Sequence, residues 1–259
     1  MKRLEGKVAI VTGASRSAGI GAAVCRRLAA DGADIFFTHF GPYDAEIHQP
    51  TDSGFTAAFT SKAELQTYGV NVGAMELDFR ADGFEEALLN TVHDTLGTPS
   101  ILINNAAYCV AVDFRQLTRE ILDRHNAVNI TGTCVLSAAF AQRIAGQHDG
   151  RIVNFVSGQD KEPMPGNLAY VATKGALSAF TVSLATELAS QGITVNAVDP
   201  GPTDSGWMTA EVKEHLLPKF PLGRIGMPAD VAHLVAFLAS DEAQWITGQI
   251  IHSDGGFWD

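Results

Sequence analysis

Apolar residues in this chain come in two kinds of block, separated by polar, Gly-rich breaks. The first kind is short and rich in β-branched or aromatic residues, at 7–11, 34–40, 71–77, 101–103, 151–156, 193–198 and 249–252. Such runs predict buried strands. The second kind is longer, with apolar positions at helical spacing, at 22–30, about 57–68, 84–96, about 122–145, 169–190 and 228–240. Strands alternating with helices predict a doubly wound, seven-stranded parallel sheet, a Rossmann-type α/β fold with helices on both faces. No repeat, low-complexity run or linker interrupts it, so 1–259 reads as one domain. Two stretches break the pattern. Residues 41–54 have no clean period and read as a long exposed loop. Residues 204–226 carry Trp207, Met208, Leu216, Leu217, Phe220 and Leu222, too apolar for a plain loop, and read as a lid with a short helix over a pocket.

Composition narrows the classes of function. Apolar residues make up 46% of the 259 and charged ones 18%, enough to bury a sizeable core. A net charge of −11 argues against nucleic acid as a partner, because phosphate binding needs a basic face. Cys25, Cys109 and Cys134 are far apart and odd in number, which fits neither a zinc site nor a disulfide framework. A reducing cytoplasm is the simplest compartment. The start of the chain lacks the apolar core of a signal peptide, and no membrane span is expected. His39, Asp44, Glu46 and His48 can be drawn as a metal site, but nothing in a loop fixes their geometry, so no metal is expected.

The first strand runs into Thr12-Gly13-Ala14-Ser15-Arg16-Ser17-Ala18-Gly19-Ile20-Gly21 and then a helix. Strand, Gly-rich turn and helix start make a dinucleotide-binding opening, with a pyrophosphate at the helix N-terminus. The end of the second strand decides the cofactor. Thr38 and His39 stand there with no Asp or Glu to take a ribose 2′-hydroxyl, while Arg16 in the turn suits a 2′-phosphate, which favours NADPH over NADH. Asp78 closes the third strand, where an adenine edge would lie. Asn104-Asn105-Ala106-Ala107 at the end of the fourth strand suits a crevice lined by backbone. Cys109 beyond it reads as a small half-buried residue. Asn129 is unfavourable in mid-helix and is either a packing residue or part of a site. The stretch from Ser157 to Lys174 holds a Ser, then Tyr170 and Lys174 one helical turn apart on one face. An ammonium beside a phenol lowers its pKa toward a usable proton donor and acceptor.

Taken together, Thr12-Gly13 with Gly19-Ile20-Gly21, Asn104-Asn105-Ala106-Ala107, Asn129, Ser157, Tyr170-Val-Ala-Thr-Lys174, Asp199-Pro200-Gly201, Ile246-Thr247-Gly248-Gln249 and Asp254-Gly255-Gly256 resemble the classical short-chain dehydrogenase/reductase family across the whole chain. The resemblance implies a catalytic tetrad of Asn129, Ser157, Tyr170 and Lys174. Ser157 and Tyr170 hold the carbonyl oxygen, Tyr170 gives its proton, Lys174 holds the nicotinamide ribose, and Asn129 holds a relay water. It also implies cofactor contacts from Gly13, Ser15, Arg16, Gly19, Ile20, Thr38, His39, Asp78, Phe79, Asn105, Ala106, Ala107, Pro200, Gly201 and Thr203, besides Tyr170 and Lys174. The substrate pocket would be lined by Gln159, Trp207 and Met208.

Within the family the chain looks most like 3-oxoacyl-(acyl-carrier-protein) reductases. Related enoyl reductases space their Tyr and Lys by six residues; three here point to carbonyl reduction. Alternatives are an NAD(P)-dependent alcohol or sugar dehydrogenase, such as a glucose 1-dehydrogenase, and a catalytically silent cofactor-binding regulator. A homotetramer or homodimer is implied, with helices near 122–145 and 169–190 at interfaces and exposed Phe257 and Trp258 at an interface or a substrate wall. Three departures stand out: five residues between Gly13 and Gly19 instead of three, Ala107 where the motif has Gly, and a longer 41–54 segment.

Overall fold

β1 (Val8–Val11), β2 (Asp34–His39), β3 (Val72–Glu76), β4 (Ile101–Asn104), β5 (Gly150–Phe155), β6 (Ile193–Asp199) and β7 (Ile250–His252) match the seven expected strands within two residues at each end. The computed structural model describes residues 2–47, 60–147, 149–158, 161 and 163–258. Among them, the strands form one sheet in the order β3-β2-β1-β4-β5-β6-β7, every pair parallel. Order reverses between β1 and β4, and a crevice opens there beyond the strands' carboxyl ends.

Strand alternation sorts the core into two layers. Ala9, Val11, Ile35 and Ile103 point to one face, against α1 (Ile20–Ala30) and Val231, Val235 and Leu238 of a late helix. Val8, Ile10, Phe36 and Leu102 point to the other, against Leu88, Leu89 and Val92 of the helix after β3 and against Phe140 and Leu184.

The segment after β2 differs from expectation. Residues 41–47 form α2 (Gly41–Ile47) rather than loop; 48–54 lie outside the described residues. Of the helix expected at 57–68, α3 (Lys62–Gln66) is described, N-capped by the Ser61 hydroxyl. α4 (Phe84–Leu96) lies as expected.

The long helix near 122–145 is three pieces end to end: α5 (Arg119–His125), a π-helical stretch (Asn126–Gly132) and α6 (Thr133–Arg143). A π-bulge re-aims side chains within a continuous helix, and Asn129 sits inside it. α7 (Leu168–Leu188) follows β5, then α8 (Ala210–Leu216) and α9 (Pro228–Leu238). The run 168–191 is long and apolar enough to cross a membrane by length and composition. It packs on β6 through Ala185 and Leu188 and buries Thr173, Lys174 and Thr181, as a core helix does.

Candidate active site

The nucleotide end is built by backbone approach. Gly13 has φ +68°, and a Cβ there would stand 2.6 Å from Ala106 Cα, so β1 and β4 close on each other only through a glycine. Asn105 staples this contact, its Nδ2 donating to the carbonyls of Thr12 and Gly13 at 2.9 Å each. Asn104 turns inward and donates to Ser137 Oγ and Asn154 Oδ1, tying β4 to α6 and β5.

The two extra turn residues are absorbed locally. The Gly19 amide donates to the Arg16 carbonyl at 2.9 Å, Arg26 donates to the Ser17 carbonyl at 2.7 Å, and Gly13 and Gly19 both still line the cleft. Gly19 precedes α1 as its N-cap and offers no side-chain cap, and the helix has no acidic residue in its first turn. Its amides and dipole are therefore available to an anion. Thr38 Oγ1 accepts from the Gly13 amide at 3.2 Å and Ser15 Oγ from the Phe40 amide at 3.3 Å. Asp78 is clamped by Arg80 (2.7 and 2.9 Å), whose guanidinium holds its carboxyl below the usual range.

The catalytic end gathers three of the four expected residues around one cleft of ≈ 760 Å³. Ser157 lies two residues past the end of β5, its Oγ on Met164 Sδ at 3.4 Å, and it faces the same cleft as Tyr170, in the first turn of α7. Lys174 comes one turn later, its Nζ 5.4 Å from the Tyr170 ring centroid. Burial pushes the Tyr170 phenol far up, helped by Cys109, Tyr43 and Asp199 and opposed by the nearby Ser157 hydroxyl. Burial also brings Lys174 down to about 8. The lowered phenol pKa expected from an adjacent ammonium is thus not a property of the chain alone: desolvation outweighs it, because both groups are buried.

Asn129 does not line the cleft. It is buried, its Oδ1 accepts from the Tyr108 amide at 2.7 Å, and its Nδ2 donates to the Tyr108 carbonyl and to Thr173 Oγ1, both at 2.9 Å. Both Nδ2 hydrogens are used, so this amide fastens the segment after β4 to α7 and has no proton left for a water.

On the substrate side the predicted residues divide. Trp207 lines the cleft with its Nε1 on the Thr203 carbonyl at 2.9 Å, whereas Met208 is buried outside the lining, and Gln159 lies outside the described residues. Phe257 is buried, its ring 4.8 Å from that of Phe220, and lines the cleft; Trp258 is exposed. Asp199 accepts from the Gly201 amide at 2.9 Å and from His252 Nδ1 at 2.8 Å. Lys161 pairs with Asp254 beside them. These four side chains are partnered, so their clustering reads as a hydrogen-bonded polar network.

Every cofactor contact named from the sequence lines this cleft: Gly13, Ser15, Arg16, Gly19 and Ile20 in the turn, Thr38, His39, Asp78 and Phe79 along the far rim, and Asn105, Ala106, Ala107, Pro200, Gly201 and Thr203 nearer the centre. The sequence reading missed Tyr43, Asp44, Lys161, Asp199 and Asp254, which also line it. Asp199 and Asp254 had a signal, lying inside motifs already noted. Tyr43 and Asp44 had none, since a patternless stretch does not reveal a helix folded over the cleft. Burial raises the Cys109 thiol, which suits a packing role.

A family model described as enoyl-(acyl carrier protein) reductase matches residues 13–258. A Bacillus subtilis protein called uncharacterized oxidoreductase YjdA is 49% identical over 99% of both chains. The 3-oxoacyl-(acyl-carrier-protein) reductase FabG of Aquifex aeolicus is 33% identical over 99% of both. Among solved structures, a double mutant of a Serratia marcescens short-chain dehydrogenase/reductase superposes with a TM-score of 0.83 at 32% identity, covering 99% of this chain and 100% of that one.

Proposed function

The chain belongs to the short-chain dehydrogenase/reductase family, as an oxidoreductase acting on CH–OH or C=O with a nicotinamide cofactor, and we propose that it works as an NADPH-dependent carbonyl reductase. One observation carries the reading: Ser157, Tyr170 and Lys174 meet in the same cleft whose other end is the Gly13–Gly19 turn. The cradle fits a dinucleotide: Gly13 gives close backbone approach, the uncapped α1 start suits a pyrophosphate, and Arg16 suits a 2′-phosphate.

The bound nicotinamide supplies the hydride; the protein orients and polarises. Ser157 and Tyr170 hydrogen-bond the carbonyl oxygen, and the high pKa of Tyr170 keeps it protonated, ready to donate at that oxygen. Lys174 holds the ribose hydroxyls from its fixed post on the Phe155 carbonyl. Asn129 acts as a positioning residue through Tyr108 and Thr173. Residues 204–226 close the substrate side, with Trp207 and Leu216 on the cleft. The three-residue gap between Tyr170 and Lys174 favours C=O over C=C reduction, despite the description of the matching family model.

The similarity to FabG makes 3-oxoacyl thioesters the first substrates to try. A second reading, oxidation of an alcohol or sugar, gains from the polar wall of Asp199, Lys161 and Asp254, whose carboxylates accept from hydroxyls. We place the protein in the cytoplasm on its three free cysteines and its relatives. We also propose a homotetramer, with exposed Val135 and Val182 on the long helices, and Trp258, at its contacts. The test is NADPH oxidation with a panel of 3-oxoacyl thioesters, quinones, ketones and sugars. Turnover with a carbonyl substrate supports the reading, and silence with all of them revives a cofactor-sensing regulator.

A further inference from the structure

The sequence puts no acid at the end of β2, and the tertiary structure supplies one from elsewhere. α2 starts at Gly41, two residues after β2 ends at His39, so Asp44 lies in the helix's first turn and returns over the cleft. Its Oδ1 stands 4.0 Å from Arg16 Nε, in the turn where a 2′-phosphate would be read. The Asp44 side chain is only 13% exposed. Its Oδ2 is buried without a hydrogen-bond partner among the described residues.

α2 holds Asp44 in place on both sides. Tyr43 OH accepts from the Cys109 amide at 3.2 Å, and its ring packs 5.5 Å from that of Tyr108. Glu46 takes Arg124 Nη2 on both oxygens at 3.0 Å each and accepts from Tyr108 OH at 3.1 Å. The other ion pair at this end, Asp78 with Arg80, is closed on itself.

A buried carboxylate oxygen accepts protons in hydrogen bonds and offers none. A ribose hydroxyl in the cleft offers a donor to the Asp44 carboxylate that lines it beside Arg16. A 2′-phosphate brings about two negative charges against Asp44 and competes with it for Arg16. We propose that Asp44 is a second reader of the adenosine ribose: it favours a 2′-hydroxyl, and so opposes the preference that Arg16 gives for a 2′-phosphate. The chain then takes NADH as well as NADPH, and Asp44 sets the ratio. This rests on the nicotinamide reading above.

The test is the Kd of NADPH and of NADH, by nucleotide fluorescence titration on the full chain, with melting temperature recorded for each variant. Asp44→Asn should tighten NADPH and weaken NADH, moving the ratio of the two Kd values by about tenfold or more, since a charge a few ångströms from a phosphate is removed. Asp44→Ala should move it the same way. Arg16→Gln should weaken NADPH and spare NADH. If Asp44→Asn and Asp44→Ala leave the ratio unchanged, Asp44 merely anchors α2 to the turn and the proposal is overturned. A wild-type chain that binds neither nucleotide would overturn the nicotinamide reading itself.

Discussion

Lys174 donates its ammonium to the Phe155 carbonyl at 2.6 Å. Phe155 is the last residue of β5, two before Ser157. One hydrogen bond therefore sets the position of Lys174 relative to Ser157, and α7 carries Tyr170 between them.

Tyr170 is the expected proton donor. Tyr170→Phe should cut turnover by about 10²–10⁴-fold, the usual contribution of a positioned acid. Binding of NADPH should stay close to wild type, because the ring and α7 are retained. Steady-state rates paired with fluorescence titration check this, and retained activity would sink the assignment.

The buried ammonium makes Lys174 a cost to the fold. An unfolded chain keeps the lysine proton up to about pH 10.5, whereas the folded chain releases it near 8. The penalty is fully present below about pH 8 and is relieved as pH rises from there toward 10.5. At neutral pH it amounts to about 3 kcal/mol. Lys174→Met removes it but strands the Phe155 carbonyl, a loss of about 1–2 kcal/mol. The variant should therefore melt above wild type at pH 7, with the advantage shrinking by pH 10. Thermal melts at both pH values decide it; a lower Tm at pH 7 would count against it.

Asp199 lies close enough to raise the Tyr170 pKa, behind burial and the Cys109 and Tyr43 contributions. Asp199→Asn keeps an oxygen for the Gly201 amide and removes the charge. Tyr170 should then lose its proton at lower pH, so the alkaline limb of the reductive kcat profile moves down. Oxidation of an alcohol, which needs the phenolate, should rise at lower pH. An unmoved profile would show that Asp199 only shapes the turn.

Asn129→Ala removes three buried hydrogen bonds, two of them to the Tyr108 backbone. Leaving those peptide groups unpaired should destabilise the protein by about 2–4 kcal/mol. Chemical denaturation measures it. Loss of activity with unchanged stability would instead point to a direct proton relay.

The order of elements was legible in the residues themselves. Strand runs such as Ala9-Ile10-Val11 and Ile101-Leu102-Ile103 are buried on both faces and read as continuous apolar blocks. Tyr170 and Lys174 were legible because a helical turn is a local rule. The Gly13 turn was legible because only glycine takes φ +68° at such a close approach. Other features depended on long-range packing, which a local pattern does not encode. Burial, not sequence distance, set the Tyr170 and Lys174 pKa values. Asn129 gained its partners only when a π-bulge turned it toward Tyr108 and Thr173. Phe257, apolar at the tail, was drawn inward by Phe220. Asp44 reached Arg16 only because α2 folds back over the cleft, bringing together two residues 28 positions apart (44 − 16) that no periodicity connects.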